Sequence, residues 1–260
     1  MPIPEAGFPR TATVSPRVQV VETTDSTNAD VVAAVTADPA GWPHLSLLVT
    51  DDQRAGRGRL DRSWTAPAGT AIAVSMVVDA STVPAALKGW IPLAAGAAMT
   101  RAVGSQLTGR SGSTQLKWPN DVLVDGGKIC GILAEAVPGT FDTVVVGAGV
   151  NTRMSRADLP VSTATSFAAI GAECDVDRLL ADYVGAFSEF VTALSSGGEE
   201  RVHRDIEKLC ATIGREVTVA LPDDTSLRGR ATRLDETGRL VVEAGTIVTT
   251  VSVGDVVHVR

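Results

Sequence analysis

The apolar positions change period several times along the first half of the chain. Residues 18–22 alternate apolar and polar, as a half-buried strand does. Asp25 or Ser26 can cap a helix through a side-chain oxygen, and apolar positions then recur at helical spacing to Ala37. Asp38-Pro39 and Gly41 break that pattern, because proline cannot continue a helix and glycine favours a turn. A strand is predicted at 45–50, a polar, glycine-rich segment at 51–63, a strand at 70–78 and a long helix at 84–107. Three short strands follow at 122–124, 128–136 and 143–150, joined by Asp125-Gly126-Gly127 and Pro138-Gly139. Asp-Gly between apolar runs marks a hairpin, since both residues tolerate the positive φ of a type I′ turn.

Helices are predicted at 176–194 and 199–211, with residues 195–198 as the loop between them. After Gly214 the pattern becomes five short strands, 216–221, 226–234, 239–243, 246–251 and 256–260, separated by turns at 222–224, Thr237-Gly238 and Gly254. The expected architecture is α/β (α+β): a mixed-sheet main domain over 18–212, a small β-barrel over 213–260, and a mobile, proline-containing tail over 1–17.

Composition narrows the functional classes. A chain of 260 residues can bury a large core without staples, and its three cysteines, Cys130, Cys174 and Cys210, have no metal-site or CxxC spacing. The N-terminus lacks a basic flank followed by an apolar stretch, so a cytoplasmic protein is expected. The most apolar stretch, 90–103, carries Pro92 and Arg101 and is too short for a bilayer core of about 30 Å, so it reads as a buried helix. The net charge of -7 and pI of about 5.0 argue against a surface that tracks nucleic acid. Against that acidic background, Arg54, Arg57, Arg59 and Arg62 crowd into one short segment and concentrate positive field where a small anion could sit.

That segment runs Gln53-Arg54-Ala55-Gly56-Arg57-Gly58-Arg59-Leu60-Asp61-Arg62-Ser63-Trp64. Its glycines allow backbone N–H groups close to a ligand, and its guanidinium forks suit carboxylate and phosphate. Alone, such a loop reads more readily as a solvated basic turn. It is not a dinucleotide fingerprint, because Asp61 stands where the last glycine belongs, and Gly126-Gly127-Lys128-Ile129 further on is not a P-loop, because it lacks the earlier glycine and the following Ser/Thr. A second segment, Lys117-Trp118-Pro119-Asn120-Asp121 followed by Gly127 to Glu135, places Lys128 near the start of a predicted strand and Lys117 just before a proline-fixed turn, so both ammonium groups could face one side of a sheet.

Read together, these segments resemble the biotin protein ligases. Five blocks stand in that family's order: Asp25-Ser26-Thr27-Asn28, the Gln53 to Trp64 loop, Lys117 to Asp121, Gly127 to Leu133, and Gly147-Ala148-Gly149-Val150-Asn151. The strands after Gly214 resemble the family's SH3-like C-terminal domain. Asp61 where the family often has Gly, and Cys130 where Ala is common, are departures that bear on loop flexibility and local packing.

The resemblance implies a catalytic fold of the biotin/lipoate ligase type, related to class II aminoacyl-tRNA synthetases, in a short form without an N-terminal DNA-binding domain. It implies two steps: biotin carboxylate attacks the α-phosphate of ATP, and an acceptor lysine then attacks the acyl-adenylate. Lys128, Arg59 and Lys117 would supply the positive charge that two approaching anions need. Asp121 would orient Mg²⁺, assist the incoming lysine or anchor its turn. Ser26, Thr27, Asn28, Gln53, Arg57, Gly58, Arg59 and Lys128 would contact biotin, with Gly131, Ile132, Leu133, Gly147 and Gly149 as walls. Arg62 and Trp64 would pack on adenine, with Arg59, Lys128, Asn120 and Asn151 at the nucleotide. His44, His203 and His258 lie outside every block and read as structural or surface residues.

The acceptor implied is the biotin carboxyl carrier domain of acyl-CoA carboxylases. No nucleic acid or membrane partner is expected, and the chain would be a monomer or weak homodimer. A lipoate or octanoate ligase or transferase of the same superfamily is the alternative chemistry. A biotin-sensing regulator is the alternative class, disfavoured because only 24 residues precede Asp25 and they carry no helical pattern.

Overall fold

The computed structural model describes residues 3–60, 62–140, 142–221, 225–252 and 254–259. The departure at Asp61, the turn expected at 222–224 and the last residue of the final expected strand, Arg260, therefore lie outside the described residues. The main sheet contains β1 (Val18–Val20), β2 (Leu47–Thr50), β5 (Ala71–Asp79), β6 (Thr114–Lys117), β7 (Asp121–Val124), β8 (Gly127–Ala136) and β9 (Thr143–Asn151). The two short strands that precede β5 in the chain, β3 (Gly56–Arg57) and β4 (Ser63–Trp64), form a separate ribbon. The seven strands of the main sheet lie in the order β1-β2-β5-β9-β8-β7-β6, with β1 and β2 parallel and the other neighbours antiparallel. Mixed pairing is thus present, as the resemblance implied.

Two helices, α2 (Ile91–Gln106) and α3 (Val176–Ser195), cover one face of this sheet. Alternation along β5 explains how: Ile72, Val74, Met76 and Val78 join the core with Leu93, Ala97, Met99, Leu180 and Phe187. Ala-rich α2 packs close because its small side chains let helix and sheet approach. The other face meets α1 (Thr27–Ala37), whose Val31 and Val35 pack with Leu48, Val77 and Val145. A shorter helix, α4 (Glu199–Leu209), leads to β10 (Glu216–Ala220), β11 (Ser226–Leu234), β12 (Leu240–Ala244), β13 (Ile247–Val251) and β14 (Asp255–His258). These five strands form an antiparallel sheet ordered β13-β12-β11-β10-β14, the small C-terminal β unit expected.

Three local differences have physical causes. The helix expected over 84–107 begins as a 3-10 turn, Ala85–Trp90, and becomes α-helical only at Ile91, with Pro92 in the first turn where its missing N–H costs nothing. β6 was not expected; Thr114–Lys117 is polar in sequence and is a strand because it pairs with β7. The segment expected to be a mobile tail is instead packed. Asp177, in the first turn of α3, accepts hydrogen bonds from the Arg10 and Thr11 amides at 2.9 Å, and Phe8 and Thr11 are buried. A buried carboxylate satisfied by backbone N–H groups anchors the segment against α3.

The barrel is tied to the main domain by two indoles. Trp90 donates to the Glu236 carbonyl at 2.9 Å and Trp118 to the Gly238 carbonyl at 3.1 Å, both from buried positions. None of the described helices is long and apolar enough to cross a membrane.

Candidate active site

The face of the sheet that α1 leaves uncovered carries the site. Beyond Val77 and Val145, residues facing the same side are Ser75 opposite Gly147 and Ala73 opposite Gly149 on β5 and β9. Across β9, Gly147 faces Leu133 and Gly149 faces Gly131 on β8. Directly opposed residues in an antiparallel pair share a face, so Ala73, Gly149 and Gly131 form a floor almost free of side chains. Over this floor stands a cavity, open at its mouth, whose lining mixes apolar walls with a few fixed polar and charged groups, as small-ligand sites do.

The space above the floor is taken by specific groups. A Cβ at Gly149 would stand 2.5 Å from Cε2 of Trp64, and one at Gly147 would stand 2.3 Å from Oδ1 of Asn28. Neither contact is possible for a real side chain, so both glycines are required for Trp64 and Asn28 to lie on the backbone.

Asn28 is held at all its polar atoms. Its amide nitrogen donates to the Leu133 carbonyl at 3.2 Å and to Glu135 Oε2 at 2.7 Å, and its oxygen accepts from Ser75 Oγ at 2.6 Å. Ser75 also approaches Thr27 Oγ1 at 2.8 Å, while Gln53 Oε1 accepts from the Thr27 amide at 2.8 Å and its hydroxyl at 3.0 Å. Ser26 caps α1, accepting from the Ala29 amide at 3.4 Å, and also lines the cavity.

The cations form a second tier. Lys128 Nζ lies 2.6 Å from Asp121 Oδ1. Its backbone is pinned on both sides, donating to the Thr163 carbonyl and accepting from the Thr165 amide, each at 2.8 Å. Arg59 reaches Asn120 Oδ1 at 3.4 Å, and Arg57 pairs with Glu135 at 3.0 Å. Arg62 pairs with Asp255, which enters the cavity from the barrel. Burial lowers the pKa of Arg59, an effect that Asp121 opposes and Arg62 reinforces. Lys117 is also lowered by burial, against Asp121, with Lys128 and Arg62 adding to the shift. Several like charges are therefore held close together, an arrangement suited to a polyanion.

Ser26, Thr27, Asn28, Gln53, Arg57, Gly58, Arg59, Arg62, Trp64, Asn120, Asp121, Lys128, Gly131, Ile132, Leu133, Gly147 and Gly149 line one cavity. Two expected residues do not. Asn151 is turned away, its amide donating to the Thr165 carbonyl at 2.9 Å, and Lys117 does not reach the lining. Cys130 is buried on the opposite face among core residues and its thiol pKa is pushed up by burial, so this departure is a matter of core packing. Sequence reading missed Ser75, Glu135 and Asp255. A serine inside the apolar run of β5 was a signal, because a polar group buried in a strand needs partners; Asp255 gave none.

The aromatic beside the floor, the fixed polar groups and the cluster of cations define an α/β protein with a cation-lined cavity whose chemistry suits a small anionic ligand. Residues 20–151 match the biotin/lipoate A/B protein ligase family, and residues 212–259 match the biotin protein ligase C-terminal domain. The chain is 37% identical to the biotin–[acetyl-CoA-carboxylase] ligase of Mycobacterium tuberculosis, over 94% of this chain and 90% of that protein. It is 28% identical to the bifunctional ligase/repressor BirA of Escherichia coli, over 89% of this chain and 70% of that one. A biotin protein ligase from Aquifex aeolicus in complex with biotin and ATP shares the fold at a TM-score of 0.76 and 23% identity, covering 94% of this chain and 99% of that one. The chain belongs to the biotin protein ligases of the biotin/lipoate ligase family.

Proposed function

We propose that this protein activates biotin with ATP as biotinyl-5'-AMP and transfers the biotinyl group to a lysine of a biotin carboxyl carrier domain. The observation that carries the reading is the sharing of one cavity by the fixed polar set around Asn28 and the cations Lys128, Arg59 and Arg62. A biotin carboxylate oxygen attacks the α-phosphorus, the bond to the β-phosphate oxygen breaks, and pyrophosphate leaves. Both reactants are anions, so preorganised cations lower the barrier. The lysine nitrogen then attacks the acyl carbon, AMP leaves, and the amine gives up its proton.

Thr27, Asn28 and Gln53 supply the hydrogen-bond partners a ureido ring needs, and Leu133 an apolar wall, while Ile132 alternates with it and packs with Cys130 in the core on the opposite face. Lys128 and Arg59 meet the carboxylate and α-phosphate, and Trp64 offers its face to adenine. Asp121 directs Lys128 through their ion pair. Lys117 acts through the field around Asp121, and Asn151 positions the strand end near Thr165. Mg²⁺ does not fit a protein cage here: the described residues contain no cluster of three or more His, Cys, Asp or Glu, and the two cavity carboxylates, Asp121 and Asp255, each hold a cation. The metal would enter with the ATP phosphates.

The carrier lysine has a route. A cleft between Trp118-Pro119 and barrel residues Thr237 to Arg239 shares Arg59, Asn120, Ile132 and Leu133 with the cavity. The test is mass spectrometry of a carrier domain incubated with this protein, Mg-ATP and either biotin or lipoate. Biotin addition to one lysine is expected; lipoate addition in preference would move the protein to the other branch of the family.

Ser75→Ala removes the donor to Asn28 and leaves a buried amide oxygen unpaired, a cost of about 1–3 kcal/mol. A melting temperature lowered by a few degrees and biotin affinity weakened about tenfold are expected from thermal melts with and without biotin. Unchanged affinity would remove Asn28 from the biotin site.

A further inference from the structure

Each described arginine of the loop that lines the cavity has its own partner, and the partners differ in origin. Arg57 is held by Glu135 on β8 and Arg59 by Asn120 beside β7, both inside the main domain. Arg62 is held by Asp255, at the start of β14 in the C-terminal barrel and 193 residues away in sequence. Arg62 also closes the loop on itself, since its carbonyl accepts from the Gly58 amide at 2.6 Å and its amide donates to the Arg59 carbonyl at 3.3 Å. Whatever holds Arg62 therefore also holds the turn that presents Arg59.

The anchor end is firm. Asp255 pairs with Ala220 in the β10–β14 ladder. Its side chain is 24% exposed, against 66% for Arg62, so the barrel carboxylate is the fixed partner and the loop guanidinium the movable one.

We propose that Asp255 is a positioning residue that latches the arginine loop over the cavity through Arg62, so that retention of the acyl-adenylate depends on the C-terminal barrel. The inference rests on the biotin ligase reading for its ligand, but the latch itself does not. A mixed anhydride is hydrolysed when water reaches it, and a loop held from both the main domain and the C-terminal strands excludes water better than one held from the main domain alone.

The test uses the full chain and five proteins: wild type, Asp255→Asn, Asp255→Glu, Arg62→Gln and the double variant Asp255→Asn/Arg62→Gln. Two quantities are read. The first is the rate of trypsin cleavage after Arg57 and Arg59 without ligand. The second is the lifetime of biotinyl-5'-AMP on the protein, formed from biotin and Mg-ATP without acceptor. Asp255→Asn is nearly isosteric, and thermal melts check that it stays folded. It is expected to speed cleavage and to shorten the adenylate lifetime by about threefold to tenfold, a modest factor because the pair is partly exposed. Asp255→Glu should recover most of the lifetime. In the Arg62→Gln background Asp255→Asn should add nothing, as expected when one interaction joins the two sites.

Equal cleavage rates in wild type and Asp255→Asn would overturn the latch. So would an equal shortening of lifetime with and without Arg62. If wild type retains no biotinyl-5'-AMP while Asp255→Asn is still cut faster, the ligase reading fails and the latch stands.

Discussion

Lys128→Gln is expected to lower biotin-dependent ATP–pyrophosphate exchange by about 10²–10³-fold, the loss typical of removing one preorganised group from a developing charge. The side chain is 42% exposed and makes its ion pair within the cavity, so the substitution opens no core void and melting should change little. Two effects act together. The cation that offsets the approach of carboxylate to phosphate is gone, and Asp121, 2.6 Å from Nζ, is left as an unpaired negative charge facing two anionic substrates. The second effect can be separated from the first. Adding Asp121→Asn to Lys128→Gln should recover part of the exchange, whereas Asp121→Asn alone should lower it by letting Nζ wander. Exchange near wild type in Lys128→Gln would remove Lys128 from the reaction, and no recovery in the double variant would mean that Asp121 acts by some route other than its pairing with Lys128.

How much of this was legible beforehand follows the range of the interactions. Elements set by local period and turn chemistry, such as α1 behind its Ser26 cap, the Asp125-Gly126 hairpin and the five short terminal strands, stand close to where the pattern puts them. β6 was invisible because Thr114–Lys117 has no apolar alternation and is a strand only through β7 and through Leu116, which bridges to Cys210 far along the chain. The N-terminal segment looked unstructured for the same reason: its partner, Asp177, lies 166 residues from Thr11.

The site divides the same way. Blocks of adjacent residues named most of the cavity lining, because the chemistry is written in contiguous loops and strand ends. The resemblance could not say which lining residues are spent on one another. Arg57 is occupied by Glu135 and Arg62 by Asp255, and Asn151 faces Thr165 instead of the cavity. Pairings between distant segments depend on the assembled sheet, and single-sequence patterns carry no record of them.

Gly149→Val should separate stability from function. Valine suits a strand better than glycine, which costs roughly 0.5–1 kcal/mol relative to alanine in such positions, and Gly149 faces the cavity instead of the packed core. On backbone grounds the variant should melt no lower than wild type. On the cavity side it cannot coexist with the present arrangement, because even its Cβ would stand 2.5 Å from Trp64 Cε2 and 2.7 Å from Cζ2. Trp64 must therefore leave the floor, and because it pairs with Gly56 in the β3–β4 ribbon, the arginine loop must shift with it. Displacement of about 1 Å in groups that position reactants is enough to cost about 100-fold in rate. The expected result is an exchange rate reduced about 100-fold or more, with loss of the melting shift that biotin plus ATP produces in wild type. Retained exchange would show that the loop works without the indole lying on β9. A collapse in stability would show instead that Gly149 serves the fold, and the adenine role of Trp64 would then lose its structural basis.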